Sequence, residues 1–207
     1  MASANFQIDK ANSKIQYKGS FLTLETVSYI GSDRQSHLRD VVRHPGAVVV
    51  VPYLVESDTV LLIEQYRVAT NLEMLELPAG KRDIEGEDPV SCAVRELEEE
   101  LGVKASSMVS LVSFYNTPGF CDELTYVFLA RGLTCGSRNP QGAEEAASKG
   151  RSLQLADLEE LVSAGKIVDA KTIIGLYATR SYLRALAAPE RFVDDIDPDL
   201  FDIVVLA

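Results

Sequence analysis

A continuous apolar run at residues 47–51 stands out from the looser alternation of apolar and polar residues between positions 15 and 42. A run of this length, preceded by a Pro-Gly pair, is typical of a buried strand. Residues 60–66 follow a short polar turn and are predicted to form its hairpin partner. The alternating stretch predicts earlier strands, with a break near residues 31–33.

One helix has clear signals at both ends. Asp88 is a favourable capping residue, and Pro89 occupies the first helical position, where its missing amide hydrogen costs nothing. Gly102 is a typical glycine at a helix C-terminus. Apolar residues recur at helical spacing between these limits, which predicts an amphipathic helix.

The remaining pattern predicts strands near residues 108–115 and 124–130, a small polar loop at 136–150, and helices at 155–164 and 170–188. Strands that alternate with a few helices and include hairpins favour a mixed α/β or α+β fold. Periodicity alone does not specify the fold further.

Composition limits the classes of function. The chain has 207 residues and a formal net charge of −11, so we expect one domain, or one with a small accessory segment, and no general affinity for nucleic acid. An acidic protein that binds an anionic phosphate substrate needs a local positive charge. A bound metal ion would supply it.

The three cysteines are not spaced as a zinc site or a disulfide framework. The first ten residues lack the apolar segment of a signal peptide, and no run of about 18 apolar residues predicts a membrane span. We therefore expect a cytoplasmic protein with reduced thiols and no membrane partner.

The predicted helix carries a cluster of acidic residues. Glu96, Glu99 and Glu100 share one face, because steps of three and four residues return to the same side of a helix. Three carboxylates repel each other unless a cation offsets them, and Mg²⁺ prefers such oxygen ligands. Arg95 lies four residues before Glu99 and is expected to orient it. The alternative is an acidic face exposed to solvent.

The surrounding residues distinguish these readings. Gly80, Glu87, Arg95-Glu96-Leu97, Glu99-Glu100 and Gly102-Val103 together resemble the Nudix box, the signature of the Nudix hydrolase family. The stretch from 87 to 103 matches at every specified position. The departure is the six residues between Gly80 and Glu87, one more than the family's pattern has.

The resemblance implies an α/β/α sandwich around a mixed sheet, preceded by a small antiparallel β segment. It implies three regions: residues 1–45 as an N-terminal β segment exchanged in a homodimer, 46–190 as the Nudix domain, and 191–207 as a C-terminal tail. It further implies Mg²⁺, with Mn²⁺ as the alternative ion. The implied metal ligands are Glu96, Glu99, Glu100, Glu87 and the backbone carbonyl of Ala79.

Arg95 would orient these carboxylates, and Gly80 would permit a tight backbone beside them. The bound ions would neutralise a pyrophosphate and activate water for attack on phosphorus. Of the mobile-loop acids Glu144 and Glu145, one would assist the water, and we slightly prefer Glu145. The local match of that loop to the family is poor.

Further residues resemble the subgroup that hydrolyses ADP-ribose. Phe21 lies in a segment whose aromatic residue stacks on adenine from the other subunit, although stacking alone selects no base. Arg43 and Arg67 would contact phosphate or adenosine. Pro118 and Gly119 lie in a turn that this subgroup places beside the substrate. Ordinary core, salt-bridge and turn roles are the alternatives for these residues.

The sequence therefore predicts a hydrolase that converts ADP-ribose to AMP and ribose 5-phosphate. Two alternatives stay open: hydrolysis of another sugar nucleotide, such as GDP-mannose or a UDP-sugar, and a catalytically silent domain that senses ADP-ribose. The complete glutamate set argues against the silent domain. A purely structural module with a bland acidic helix is the third reading.

Overall fold

The computed structural model describes residues 6–141, 143–187 and 203–205. Its strands are β1 (Gln7–Lys18), β2 (Thr23–Ile30), β3 (Ser36–Arg43), β4 (Ala47–Leu54), β5 (Thr59–Arg67), β6 (Leu72–Glu76), β7 (Ala79–Lys81), β8 (Val103–Lys104), β9 (Ser107–Tyr115), β10 (Leu124–Arg131), β11 (Thr134–Cys135), β12 (Lys149–Gln154) and β13 (Ile203–Val205). Its helices are α1 (Pro89–Leu101), α2 (Ala143–Ala147), α3 (Leu158–Ser163) and α4 (Ala170–Ala187).

The chain forms two compact units. The first contains the described part of Met1–Gly46 together with Tyr115–Leu124. Strands β1, β2 and β3 form an antiparallel sheet there, with β2 in the centre. An isolated bridge between Val42 and Cys121 attaches the Tyr115–Leu124 segment to this sheet. The predicted N-terminal antiparallel segment is therefore present.

The second unit contains Ala47–Phe114 and the described residues from Thr125 onward. Its mixed sheet has the order β12-β5-β4-β10-β9-β13, with β6 paired to β5 and β7 paired to β4. Strands β4 and β10 run parallel, and β4 and β5 form the predicted antiparallel hairpin. The two most buried strands, β4 and β10, therefore lie side by side at the centre of the sheet. Parallel strands are usually buried in this way on both faces.

Strand β4 explains the layers of this unit. Its side chains alternate between faces, so Val49 and Val51 pack in a core with α3 and α4, while Val48 and Val50 pack in a second core with α1. The continuous apolar run is thus a central strand covered on both sides. The architecture is the predicted α/β/α sandwich around a mixed sheet.

Helix α1 begins and ends where the sequence predicts. The Asp88 carboxylate accepts hydrogen bonds from the amides of Val90 and Ser91, at 2.9 and 3.1 Å. Gly102 closes the helix with φ of 64° and donates its amide to the Glu98 carbonyl at 2.8 Å. These caps satisfy backbone groups that the helix itself leaves unpaired.

The loop predicted at residues 136–150 is wrong in part. Residues Ala143–Ala147 form α2, and β12 begins at Lys149 as an edge partner of β5. The sequence Ala-Glu-Glu-Ala-Ala consists of strong helix formers, and this local preference outweighs the surrounding small polar residues. Most of the 191–207 tail lies outside the described residues, apart from β13, which pairs antiparallel with β9.

Helix α4 matches the predicted helix at 170–188 up to Ala187, and the last predicted position lies outside the described residues. The helix predicted at 155–164 begins instead as a short 3₁₀ turn before α3. Within the part of the chain that the structure describes, no helix combines the length and apolarity that crossing a membrane requires.

Candidate active site

Two glutamates of α1 are buried against the segment that carries β7. Glu96 and Glu100 are 8% and 3% exposed. The Glu100 Oε2 atom accepts a hydrogen bond from the Ala79 amide at 3.0 Å. A methyl group on Gly80 would overlap the Glu96 carboxylate. The absence of a side chain at Gly80 therefore makes room for the Glu96 carboxylate of α1.

The reason for glycine at position 80 differs from the expected one. Gly80 is not among the residues with positive φ, so its backbone conformation is accessible to other residues. Gly80 is instead paired with Val48 in the β4–β7 ladder, where its Cα faces Glu96. Close approach of a side chain, rather than a tight backbone, requires glycine here.

Arg95 connects the acidic residues. Its guanidinium donates to Glu87 at 3.0 and 3.1 Å, to Glu96 Oε1 at 2.8 Å and to Glu99 Oε2 at 3.0 Å. The hydrogen bonds with Glu87 are the main reason that the pKa of Arg95 is raised and that of Glu87 lowered. The guanidinium fork thus holds three carboxylates in one arrangement.

Burial keeps the pKa of two carboxyl groups high. Burial raises the pKa of Glu96 to about 7, although Arg95 opposes it, and the negative charges of Glu99 and Glu145 add to the rise. Burial also raises the pKa of Glu100 to about 8, with further contributions from Glu96 and Glu145. These carboxylates are withdrawn from water without enough positive charge around them.

Such a donor set fits a hard divalent cation, which prefers carboxylate and carbonyl oxygens. Among the residues described, no three His, Cys, Asp or Glu side chains converge as a ready metal cluster. Arg95 draws Glu96 and Glu99 toward itself, and Glu100 faces the Ala79 amide. Arg95 is thus the counter-charge of Glu87, Glu96 and Glu99 in this structure, and the metal-ligand set stays a prediction.

Cys92 borders the same cluster. Arg95 donates from Nη2 to its sulfur at 3.4 Å, and Cys92 is fully buried. Burial raises the pKa of this thiol to about 12, so it stays protonated at neutral pH. It behaves as a small apolar core residue rather than as a nucleophile or a metal ligand.

The two loop glutamates, Glu144 and Glu145, differ in burial and in their contacts. Glu145 is half-buried, accepts a hydrogen bond from the Gln141 amide at 2.7 Å, and acts electrostatically on both Glu96 and Glu100. Glu144, its neighbour on α2, is exposed. The geometry thus brings Glu145 toward the carboxylates of α1.

Arg67 lies on β5 in the same unit and has a partner that sequence reasoning missed. Its guanidinium donates to both carboxylate oxygens of Glu76, at 2.7 and 2.6 Å. Glu76 is 1% exposed, and its hydrogen bonds raise the pKa of Arg67. A glutamate between Leu75 and Leu77 was the available signal, since a charge at a buried position requires a partner.

A second missed group lies at the start of α4, close to Glu76 at the end of β6. Lys171 lies 2.7 Å from Asp169 and 3.9 Å from Glu76, and the Thr172 hydroxyl donates to Asp169 at 2.7 Å. Burial opposes ionisation of Asp169, but Lys171 and Thr172 outweigh it and lower the pKa of Asp169. Asp169 immediately precedes α4 and accepts from the Thr172 amide, which is the pattern of a helix N-cap.

In the first unit, Arg43 bridges two acids. It donates to Glu25 at 2.7 Å and to Asp122 at 3.1 Å, and the contact with Glu25 is the main reason that its pKa is raised. Asp122 also accepts from the His44 amide at 2.8 Å. Phe21 is 42% exposed and meets His44 edge-on, with ring centroids 5.6 Å apart.

Pro118 and Gly119 lie in a turn of that unit, as predicted. The Phe120 amide donates to the Thr117 carbonyl at 3.1 Å, which closes the turn. The Phe120 carbonyl accepts from Val42 at 2.7 Å, so the turn is fastened to β3. A side chain at Gly119 would meet nothing within 4 Å, so close packing does not require glycine at this position.

A cavity of about 760 Å³ lies beside α1 in the second unit. Its volume is in the range of small-molecule sites. Its lining includes Arg95 and Glu99, whereas the buried Glu96 and Glu100 are not among the lining residues. The other lining residues are Asp88, Val90, Ser91, Val94, Glu98, Ser137 and Asn139.

Comparison with known proteins agrees with this geometry. The NUDIX domain model matches residues 43–173. A methanol dehydrogenase activator of Bacillus methanolicus is 37% identical over 69% of this chain and 76% of that protein. An ADP-ribose pyrophosphatase of Mycobacterium tuberculosis is 36% identical over 73% of this chain and 72% of that protein.

A solved structure, described as an ADP compounds hydrolase, has the same fold. It superimposes with a TM-score of 0.76 and covers 89% of this chain and 98% of that one, at 22% identity. The mixed sheet and its flanking helices are therefore an architecture already seen experimentally. At this identity the likeness extends to the fold alone.

Proposed function

Because this chain belongs to the NUDIX domain family, we propose that it hydrolyses the pyrophosphate bond of ADP-ribose, giving AMP and ribose 5-phosphate. The family and the relatives support a hydrolase of ADP-ribose or a related nucleotide sugar. The choice of ADP-ribose among these substrates is supported by the relative named for that activity and by the residues of the N-terminal unit.

One observation carries the proposal: the burial of Glu96 and Glu100 against the Ala79–Gly80 segment, with Arg95 beside them. Buried carboxylates without full compensation are costly, and they occur mainly where a ligand or a charge partner is required. A site that gathers such groups beside a cavity suits a substrate that arrives with cations.

We assign the divalent cation, Mg²⁺ or alternatively Mn²⁺, to Glu96, Glu99, Glu100, Glu87 and the Ala79 carbonyl. An ion held by these residues would supply positive charge against the diphosphate and would make a water molecule easier to deprotonate. Arg95 holds Glu87, Glu96 and Glu99 together around its guanidinium before the cation binds.

Glu145 is the loop carboxylate that we assign to the proton of the attacking water, with Glu99 as the α1 carboxylate nearest the open side of the site. A general base must lie within hydrogen-bond reach of that water. The half-burial of Glu145 and its electrostatic effect on Glu96 and Glu100 support this assignment. Glu144 is the second choice, since it is exposed.

For the substrate, we assign Arg67 and Arg43 to phosphate or adenosine contacts, Phe21 to base stacking, and Pro118 and Gly119 to the wall beside the substrate. Arg67 is 36% exposed beyond its contact with Glu76, and the Phe21 ring is 42% exposed. An exposed aromatic ring provides a surface for any base, so specificity for adenine requires further contacts.

We propose a homodimer built through the N-terminal sheet. This sheet exposes an unusual number of large apolar side chains, which marks an interaction surface. They are Phe6, Ile8, Ile15, Tyr17 and Leu38, each more than half exposed. Light scattering after size exclusion tests this, because a monomer at micromolar concentration contradicts it.

The function is tested with purified protein and Mg²⁺ on a panel of ADP-ribose, GDP-mannose and a UDP-sugar. The expected result is release of AMP from ADP-ribose with the highest kcat/KM of the panel. A preference for GDP-mannose or a UDP-sugar keeps the enzyme class and replaces the substrate. Binding of ADP-ribose without monophosphate release identifies a silent sensor and overturns the proposal.

A further inference from the structure

The segment between β11 and α2 is hydrogen-bonded to the C-terminal end of α1. The Gly136 amide donates to the Gly102 carbonyl at 2.6 Å, and the Asn139 amide donates to the Glu99 carbonyl at 3.0 Å. Between them, Arg138 donates from Nε to the Glu100 carbonyl at 2.6 Å. The last carbonyls of a helix lack internal partners and favour a cation, so Arg138 caps α1.

The other side of the same guanidinium holds α2. The Arg138 Nη2 atom donates to the Glu145 carbonyl at 2.5 Å and to Ser148 Oγ at 2.6 Å. Ser148 itself donates to the Glu145 carbonyl from its hydroxyl at 2.9 Å and from its amide at 3.1 Å. The Glu145 carbonyl thus accepts hydrogen bonds from three donors, one on Arg138 and two on Ser148. Ser148 is buried.

The Glu145 carboxylate is held separately. It accepts from the Gln141 amide at 2.7 Å, while the Gln141 side chain donates to Glu99 Oε1 at 3.2 Å. The short stretch from Arg138 to Gln141 therefore contacts the backbones of Glu99, Glu100 and Glu145 and the carboxylates of Glu99 and Glu145. These contacts link the metal-site helix to the loop glutamate.

We propose that Arg138 is a positioning residue that fixes Glu145 relative to the carboxylates of α1 and so makes Glu145, rather than Glu144, the loop carboxylate that serves the reaction. The inference rests on the proposed hydrolase function. In this role Arg138 acts only through the two carbonyls that it bridges, those of Glu100 and Glu145. A guanidinium suits the role because its planar fork spans two acceptors on different elements at once.

The consequence is specific. Loss of Arg138 leaves the carboxylates of α1 in place, since Arg95 and Ala79 hold them. It releases α2, and with it the position of Glu145. A displacement of about 1 Å in a catalytic group lowers turnover by up to about 100-fold without a comparable effect on binding.

The experiment compares Arg138→Ala with Lys104→Ala, a control at the same end of α1 whose amine pairs with Glu98 on the surface. We expect Arg138→Ala to lower kcat for ADP-ribose by about 10- to 100-fold, while KM and the half-saturating Mg²⁺ concentration change less than about threefold. Lys104→Ala is expected to keep the wild-type kcat. An unchanged kcat in folded Arg138→Ala overturns the proposal.

A double-mutant cycle provides the readout that a merely structural role would not move. In the Glu145→Gln background, Arg138→Ala is expected to lower kcat less than about threefold further, because the group that it positions is already lost. If the fold-losses in kcat of Arg138→Ala and Glu145→Gln multiply in the double variant, the two residues act independently and the proposal is overturned. A larger loss of kcat in Glu144→Gln than in Glu145→Gln also overturns it.

Two further variants keep the test decisive if Arg138→Ala does not fold. Arg138→Lys retains the charge but reaches only one of the two carbonyls, so an intermediate kcat is expected. Ser148→Ala removes a second donor to the Glu145 carbonyl and is expected to lower kcat in the same direction. If both keep full kcat, Arg138 has no positioning role. Failure of the proposed function is distinct from this, since the wild-type protein would then release no AMP.

Discussion

The carboxylate of Glu96 occupies the space that a side chain on Gly80 would fill. Gly80 lies on β7 and Glu96 on α1, so the contact sets how closely the catalytic helix approaches the strand that leads into it. Neither residue, considered alone in the sequence, indicates this contact. The pair shows that the glycine of the motif serves the position of the carboxylate.

Gly80→Ala is therefore expected to displace Glu96 and lower kcat at least about tenfold, because catalytic groups tolerate little misplacement. Overpacking at a buried contact also lowers the free energy of unfolding by about 1–3 kcal/mol. Steady-state kinetics and urea denaturation measure both effects. Gly150→Ala is the matched control, since its added methyl meets only Leu101 at 4.0 Å. Equal activities for the two variants would refute the role given to Gly80.

The sequence was sufficient for features that are determined locally. Asp88, Pro89 and Gly102 specify both ends of α1 through their own backbone and side-chain chemistry, and the structure confirms all three. The apolar run of β4 indicates a strand covered on both faces without reference to any partner. Local signals of this kind survive folding because tertiary contacts reinforce them.

Other features depend on residues far apart in the chain. Glu76 is satisfied by Arg67 and approached by Lys171, a partner that follows it by almost a hundred positions and that no local pattern indicates. Arg138 donates to the backbone carbonyl of Glu100, which precedes it by 38 positions. The helix at Ala143–Ala147 was missed because its small residues suggested a loop, although their helix propensity is high.

Removal of one carboxylate charge from the acidic cluster is expected to lower turnover strongly. Glu99→Gln and Glu100→Gln should each lower kcat by about 10²- to 10⁴-fold, the usual range for a group that acts on the water or its metal, while the fold persists. Initial rates and circular dichroism measure activity and fold. Glu159→Gln is the control, because Glu159 is an exposed carboxylate of α3 that pairs with Arg180. Near-normal turnover in both site variants would exclude the metal assignment.

The raised pKa values of Glu96 and Glu100 make stability depend on pH. Folding raises these values from 4.5 to about 7 and about 8, so the native state retains protons that the unfolded chain has lost. The free energy of unfolding of the metal-free protein should therefore fall as pH rises through this window. Thermal denaturation in a chelating buffer measures the trend.

Magnesium should counteract that trend. Protons compete with the ion for the same carboxylates, so its apparent affinity is expected to increase as pH rises from about 6 to about 8. Titration of melting temperature with Mg²⁺ at several pH values measures this. The Glu100→Gln variant should show a flatter profile. A Mg²⁺ affinity that is constant across the window would show that Glu96 and Glu100 do not bind the ion.

Phe21→Ala is expected to raise KM for ADP-ribose more than it lowers kcat, since stacking on a base holds the ground state and the transition state alike. Base–aromatic stacking is worth about 1–3 kcal/mol, which corresponds to an increase of about 5- to 150-fold in KM. Val55→Ala removes an exposed apolar side chain that belongs to neither the proposed stacking site nor the proposed dimer surface, and it serves as the control. An unchanged KM would remove Phe21 from the binding site.

Thr172 connects α4 to Leu77, which lies in the short segment between β6 and β7. Its hydroxyl donates to Asp169 and accepts the amide of Leu77 at 2.9 Å, and both Thr172 and Leu77 are almost fully buried. Valine has nearly the same shape but no hydroxyl, so Thr172→Val leaves that buried amide unpaired. An unsatisfied buried donor costs about 1–3 kcal/mol of the free energy of unfolding.

Thr172→Ser separates the hydrogen bond from packing. Serine keeps the hydroxyl and loses one methyl group, which costs about 0.8 kcal/mol for the buried carbon. We therefore expect the urea midpoint to fall further for valine than for serine, with unchanged m-values. The reverse order would mean that packing of the Thr172 methyl group, and not its hydroxyl, holds α4 against the strand that leads into the site.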